Sequence, residues 1–448
     1  YHSRPRRVWM DGRLEAHALD RLVSQERIQQ ALRTVRGAGA VKLHDALRFF
    51  FVRWSSRDHL TALSASPRFR LLFVDSAGAC FARTDWRPSP LAAGRAGALP
   101  AQSNLSDFDR PLRDDWRIDG IGSQPRRWWR QNPPPVHYPL GAMFLWLGWQ
   151  RPMSASDPAD LHRRQCMLLS IRYLMAAVAE GLVDRAVVTG MLAQAHQQLA
   201  LQEDVTCSAG VPVDYHSARA LWLYRQLDLT DLRDGNMRRF AEQHVDALIR
   251  ARQLDAAERA AAELLRRAPA DRRRDYHALH DRIARQVRHS RERARSIELP
   301  PPQRARALTA PDVGLIEQAV AELRAQPATA ENRLVLGDLL LNQGRTEEAR
   351  RACAEAGQLG ADPGEVWLRN ACCDAVGLEV APPPFVVPFA EPPVPGALAT
   401  ATAGYYRALS LEQWGRYDDA LAALRGVQPQ DRQLAGLIDR MRRRLALR

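Results

Sequence analysis

The chain has 448 residues, enough for two or three domains, and 46% of them are hydrophobic, enough for sizeable cores. Mean hydropathy is −0.37, and the longest apolar run, Tyr138 to Trp149, is too short to cross a bilayer, which needs roughly 20 residues. A formal net charge of +13 and a pI near 10.1 favour acidic partners such as nucleic acid, anionic membrane or acidic proteins, without bearing on fold.

Lys42 is the only lysine, so 63 of the 64 basic residues are arginine. Arginine suits bidentate contact with phosphate and carboxylate. The chain is also rich in Ala, Pro and Leu, so a GC-rich, bacterial type of genome is the first explanation of the bias. The six cysteines, Cys80, Cys166, Cys207, Cys353, Cys372 and Cys373, form no C-x-x-C pair and no zinc spacing, and read as buried thiols in a reducing compartment. No secretory apolar segment opens the chain. A cytoplasmic location is expected, with peripheral membrane association as an alternative. The chain opens on Tyr1 rather than Met, so a preceding leader or domain stays open.

In chain order, Leu19 to Val35 has the spacing of an amphipathic helix closed by Gly37 and Gly39. Val41 to Trp54 reads as a second helix ending on Phe49, Phe50 and Phe51. Phe69 to Val74 and Ala79 to Ala82 flank the turn Asp75-Ser-Ala-Gly78 and predict a hairpin. Residues 87–115 read as a loop or linker. Eight of the eleven tryptophans lie in the first 150 residues. A Trp-rich α or α+β region over 1–155 is therefore expected, followed by helices over 156–299 and 300–448.

Asp157 and Pro158 predict a helix start, and Cys166, Leu169, Tyr173 and Ala177 continue it. Val187–Leu201, Tyr215–Leu227 and Leu232–Ile249 follow as helices. Pro300-Pro-Pro302 reads as a break, and Thr309-Ala-Pro-Asp312 as a capped restart. Residues 381–396 read as a proline-rich insertion.

Three stretches then align. Leu334 to Ala349 contains Gln-Gly-Arg-Thr-Glu-Glu-Ala; Tyr405 to Leu424 contains Trp-Gly-Arg-Tyr-Asp-Asp-Ala; the third runs from Val245 through Arg252-Gln-Leu-Asp-Ala-Ala257 to Pro269. Small residues (Gly337, Ala408) let one helix approach the next. Gly344 and Gly415 suit a left-handed turn. Ala257, Ala349 and Ala420 fit where the helices cross. In the third stretch Arg252 stands where the turn glycine belongs. Glu365 to Val380 would supply a helix between the two clearer copies, and Val313 to Ala325, with Ala319 and Leu323, an extra second helix.

These motifs resemble tetratricopeptide repeats, over about half of the chain. The resemblance implies a mainly α fold, an α-solenoid of antiparallel helix pairs, and a groove that binds a protein or peptide segment. By register it places Arg239, Asp246 and Arg250, then Leu334, Asp338 and Asn342, then Tyr405, Leu409 and Gln413 along that groove. The function expected is a non-catalytic scaffold or adaptor.

Other constellations point elsewhere. Arg266 to Arg295 holds eleven arginines against four acids and reads as a solvated face or a phosphate-binding one. Arg126, Arg127, Trp128, Trp129 and Arg130 could stack on bases or anchor an irregular domain. Both support nucleic-acid binding as the alternative. An enzyme site in the first 155 residues would draw on Asp75, His137 or Tyr138. His277 and His280 sit one turn apart without further ligands, so no metal is expected. Gly120-Ile-Gly122 lacks the flanking strand and helix of a nucleotide loop, and no cofactor is implied.

Overall fold

The computed structural model describes residues 49–53, 63, 69–74, 78–83, 137–149, 158–180, 184–203, 205, 207, 211–380, 389, 397–427, 429 and 431–446. These hold three strands and fifteen helices. The chain divides into two compact units, one of residues 1–152 with 172–183, the other of 153–171 with 184–448.

In the first unit, β1 (Phe49–Arg53), β2 (Phe69–Val74) and β3 (Gly78–Arg83) form an antiparallel sheet in the order β1-β3-β2. The expected hairpin is β2–β3, with Phe69 opposite Arg83, Leu71 opposite Phe81 and a bulge before Phe73. Phe49 to Arg53 is a strand, not the end of a helix: Phe50 lies opposite Phe81 and Val52 opposite Ala79. Consecutive aromatic and β-branched residues fit a pleated, paired surface better than a helix. Val52, Phe69 and Phe81 are buried. The helix expected over Leu19 to Val35, the linker 87–115 and the cluster Arg126 to Arg130 lie outside the described residues.

The apolar run forms α1 (His137–Trp149), buried from Pro139 to Leu145. At 13 residues it is about 20 Å long. It packs on the last turns of α2 (Pro158–Glu180): Phe144 stacks on Tyr173 at 5.7 Å, and a Cβ on Gly141 would stand 2.7 Å from Leu174 Cγ. Among the described residues no helix is long and apolar enough to cross a membrane.

The second unit is all helix among its described residues. After the first turns of α2 come α3 (Arg185–Glu203), α4 (Tyr215–Arg225), α5 (Gly235–Arg250), α6 (Leu254–Arg266) and α7 (Arg273–Arg295). Then follow α8 (Pro301–Leu308), α9 (Ile316–Ala325), α10 (Ala330–Asn342), α11 (Thr346–Gln358), α12 (Pro363–Val376), α13 (Ala397–Gln413), α14 (Tyr417–Ala423) and α15 (Arg432–Ala446). Side-chain caps explain several starts. Asp214, Asp234, Thr329 and Asp362 each accept from a backbone N–H in the first turn. The prolines at 300–302 open α8 rather than break the chain, since a first-turn proline gives up only an N–H that has no helical partner. Thr309 closes α8 instead of capping the next helix, and α9 begins only at Ile316.

From α3 to α7 and again from α8 to α15, consecutive helices pack as neighbours, in the manner of helical repeats. Four turns share one backbone. Arg252, Gly314, Gly344 and Gly415 have φ of 57°, 70°, 70° and 73°. The residues after them, Gln253, Leu315, Arg345 and Arg416, have ψ of 67°, 64°, 63° and 63°. In three of the turns the N–H bonds match as well. Gln253 N donates to Leu248 O, Arg345 N to Leu340 O and Arg416 N to Leu411 O, all at 2.9 Å. Each turn is followed at the same spacing by a fully buried alanine: Ala257, Ala319, Ala349 and Ala420. The pair α8–α9 is thus a fourth copy beside the three legible in the sequence. The close crossing expected at Gly337 is present, since a Cβ there would lie 2.8 Å from Cys353 Sγ.

The stacking is not the only packing in this unit. Helix α4 lies against α10 and α12, far ahead in sequence. Tyr406 Oη donates to Val213 O at 2.7 Å and accepts from Val213 N at 3.1 Å. Arg219 Nη1 donates to Val376 O at 2.6 Å, with its guanidinium 4.6 Å over the Trp222 ring. The segment 211–225 therefore covers the face that α10 and α13 would present to a groove.

Candidate partner surfaces and a polar pocket

Three arrangements in the second unit carry polar chemistry. The deepest joins α2, α3, α4, α13 and α15. Arg164 Nε and Nη2 donate to Glu412 at 3.0 and 2.6 Å, and Nη2 also reaches Glu203 at 2.8 Å. Arg444 Nη2 closes the cluster, 2.9 Å from Glu412 and 3.2 Å from Glu203. His216 Nε2 is 4.0 Å from Glu203, and its Nδ1 meets His196 Nδ1 at 3.0 Å. Burial, then the neighbouring cations, holds both imidazoles well below their usual pKa. Glu412 is fully buried and His196, His216 and Glu203 nearly so. These groups tie helices together, and of them only Arg444 keeps partial exposure.

The register-derived groove positions divide into two groups. On α5, Arg239 is half-buried and Asp246 and Arg250 are exposed. The positions on α10 and α13 are engaged by the chain itself. Asp338 takes a bidentate pair from buried Arg369 at 2.7 and 2.9 Å. Asn342 Nδ2 donates to Pro212 O at 2.7 Å, and Asn342 Oδ1 accepts from Asp214 N at 3.1 Å. Gln413 Oε1 accepts from Tyr215 Oη at 3.1 Å, and Tyr405 and Leu409 are each 2% exposed. Leu334 is half-buried. As placed, a partner would meet residues 211–217 before it met Asn342 or Gln413.

Beside that segment lies a pocket of about 400 Å³, within the range of small-ligand sites. Its wall includes Arg250 from the end of α5, Arg252 and Gln253 from the turn, Arg306 from α8, Asp214 at the cap of α4, and Asn342. Arg250, Arg252 and Arg306 are exposed at the surface, while Gln253 is 3% exposed. Gln253 Nε2 donates to Asn342 O at 2.8 Å, and its Oε1 is sealed without a partner. Burial pushes the Asp214 carboxyl up to about 6, against the pull of its bonds from Ser217. Ala220, Ile316 and Leu339 supply apolar wall. The register reading found Arg250 and Asn342. It missed Arg306 and Gln253, which no motif marks; for Arg252 the signal was there, an arginine standing at a turn-glycine position.

The third arrangement is the outer face of α7. Its eight arginines oppose three acids, and Tyr276, Ile283, Val287, Ser290 and Ala294 form the buried face. Arg291 pairs with Glu258 at 3.3 Å, Arg293 with Asp312 at 3.6 Å and Arg272 with Asp275 at 3.4 Å. Arg274, Arg285 and Arg288 are exposed and enter no ion pair among the described residues. Helical spacing puts these three on one side, opposite the buried face. Arg273, Arg274 and His277 also line a shallow hollow at the start of α7. His277 is 3.0 Å and His280 3.8 Å from Asp281, and among the described residues no group of three or more His, Cys, Asp or Glu could hold a metal ion. Cys166, Cys353, Cys372 and Cys373 are buried free thiols, with burial pushing each pKa up.

No protein-family model, no curated protein and no solved structure matches the chain. His137 and Tyr138, the described residues of the enzyme alternative, sit half-buried on the first turn of α1. Asp75 and Arg126 to Arg130, like Gly120 to Gly122, lie outside the described residues.

Proposed function

We propose that the protein is an interaction scaffold of tetratricopeptide-repeat type that holds an acidic segment of a partner protein along the outer face of α7. The observation that carries this reading is the row Arg274, Arg285 and Arg288, exposed and, among the described residues, without ion pairs on a helix of 23 residues. Such a helix is about 35 Å long, which suits an extended or helical segment rather than a small molecule. Unpaired guanidinium groups form charge-assisted, bidentate bonds to carboxylates. The four equivalent turns and the buried alanines after them support the repeat type, and α7 packs along α6. Helix α5 adds Glu242, which accepts from Tyr276 Oη at 2.6 Å and fixes α7 on its own neighbour. Arg239 and Asp246 lie on that same α5 and extend the surface, while Arg250 at its end lines the pocket.

The same row favours a second reading, phosphate contact with nucleic acid, and one experiment separates the two. The triple substitution Arg274→Glu, Arg285→Glu and Arg288→Glu is compared with the wild type in affinity capture, with nuclease-treated and untreated extracts. The scaffold reading expects a protein that survives nuclease treatment on the wild type and is absent from the variant. A partner retained equally by both would sink it. Binding of purified RNA or DNA that collapses as salt rises would replace it by the nucleic-acid reading.

A further inference from the structure

We propose that the pocket walled by Arg250, Arg252 and Arg306 binds a small hydroxylated phosphate monoester, of the size and chemistry of a sugar phosphate. Three observations converge on it. Three arginines line one cavity, and planar arginine forks match phosphate oxygens. One of them stands in backbone that favours glycine. Arg252 has φ of 57°, in a turn whose three counterparts all carry glycine. At Gly344 the choice is forced, because a Cβ would come 2.4 Å from Trp222 N. The turn at 252 accommodates a side chain, and Arg252 lines the pocket. A residue in an unfavourable backbone region at a cavity wall is a sign of use.

The third observation is the buried acceptor. Gln253 is 3% exposed, and its Nε2 bond to Asn342 O fixes the amide orientation. Its Oε1 is left unpartnered and closed to solvent, and Gln253 belongs to the cavity wall. A buried acceptor without a donor is costly, and a ligand hydroxyl supplies one where the wall opens to admit the ligand. Asp214 is a second acceptor on the same wall. A bare anion would be repelled by that carboxylate, whereas hydroxyl groups can donate to it while the phosphate faces the arginines. The cavity therefore asks for a molecule anionic at one end and a hydrogen-bond donor at the other. This surface is separate from the α7 row, so the two proposals stand or fall apart.

The test is calorimetric titration of the full chain with ribose 5-phosphate, inorganic phosphate and ribose. Ribose 5-phosphate is expected to bind, inorganic phosphate to bind more weakly, and ribose to give no heat. Arg252→Gly is expected to lose about tenfold or more in affinity, the scale of one charge-assisted contact. Its melting temperature should match or exceed the wild type, which separates lost binding from lost folding. The triple α7 variant should bind ribose 5-phosphate as the wild type does. Absence of heat with ribose 5-phosphate, or unchanged affinity in both Arg252→Gly and Arg306→Ala, would overturn the proposal. Equal binding of inorganic phosphate and its sugar ester would remove the hydroxyl recognition.

Discussion

Arg164 and Glu412, 248 positions apart in sequence, face each other through two hydrogen bonds of 3.0 and 2.6 Å in the core. The bond fastens α2 to α13, and Glu203 and Arg444 complete a cluster of two cations and two anions. Burial works against the Arg164 charge, but Glu412 and Glu203 together hold its pKa above the ordinary value. Glu412→Ala would leave two guanidinium groups facing a single carboxylate in a sealed space. Removing one partner of a buried pair costs about 3–5 kcal/mol. Urea unfolding of Glu412→Ala should show a loss of that size. A loss no larger than that of a surface pair would mean the cluster is solvated.

Opposite outcomes are expected at two equivalent turns. Gly344→Ala puts a Cβ 2.4 Å from Trp222 N and 2.8 Å from Trp222 Cα, against backbone that cannot rotate away, and at φ of 70°. A destabilisation of more than about 2 kcal/mol follows from the overlap and the left-handed backbone together. At position 252 the direction reverses. An L-residue there costs about 1 kcal/mol relative to glycine, so Arg252→Gly should stabilise the chain by roughly that amount. Thermal unfolding of the two variants measures both signs; a destabilised Arg252→Gly would show that the arginine's contacts outweigh its backbone cost.

The contrast between those turns also marks what the sequence could reveal. Gly344, Gly415 and the alanines five positions on were legible because their need is local: a left-handed turn and a close crossing. The fourth copy was hidden, since its first helix, α8, has only eight residues and opens on prolines that look like a break. Phe49 to Phe51 misled because an unalternating aromatic run fits the end of a helix as well as a strand, and its pairing with β3 is decided more than 25 residues away. Arg164, Glu203, Glu412 and Arg444 look like surface residues one by one; only the three-dimensional meeting of α2, α3, α13 and α15 buries them. The same holds for α4. Helical spacing marked which positions of α10 and α13 share a face, but not that residues 211–217 lie on it.

Mild acid should weaken the fold through three buried histidines, with Asp214, raised to about 6, offsetting about one of them below that pH. His196 and His216 are kept neutral in the folded chain by burial, with Arg164 and Arg444 facing His216 and Arg219 near His196, and Glu412 opposing them at His216. His244, ring to ring with Tyr224 at 5.4 Å, is pushed down to about 4 by burial and then by Arg225. The unfolded chain protonates these groups near 6.5 and so binds more protons below that pH. Stability is therefore full above 6.5 and falls as pH drops through it, towards a limit of about 1.4 kcal/mol per pH unit for each histidine. Chemical denaturation at pH 7.5, 6 and 5 measures the slope. A midpoint constant over that range would mean that the imidazoles titrate alike in both states.

Asn342 decides whether residues 211–217 stay on the face of α10. Its Nδ2 donates to Pro212 O at 2.7 Å and to Asp338 O at 2.9 Å, and its Oδ1 accepts from Asp214 N at 3.1 Å and from Cys207 Sγ at 3.3 Å. Asn342→Ala removes all four and leaves Pro212 O and Asp214 N to find other partners. At about 1 kcal/mol for each bond to 211–214, the segment should loosen by roughly 2 kcal/mol. That corresponds to amide exchange at Asp214 faster by about thirtyfold, while amides inside α11 exchange as before. Tyr406→Phe, which removes the hydroxyl bonded to both polar groups of Val213, should act in the same direction on Val213. Exchange that accelerates equally throughout the second unit would show that the segment is part of one cooperative core; exchange confined to 211–217 would show a strap that can lift and free the α10 and α13 positions for a partner.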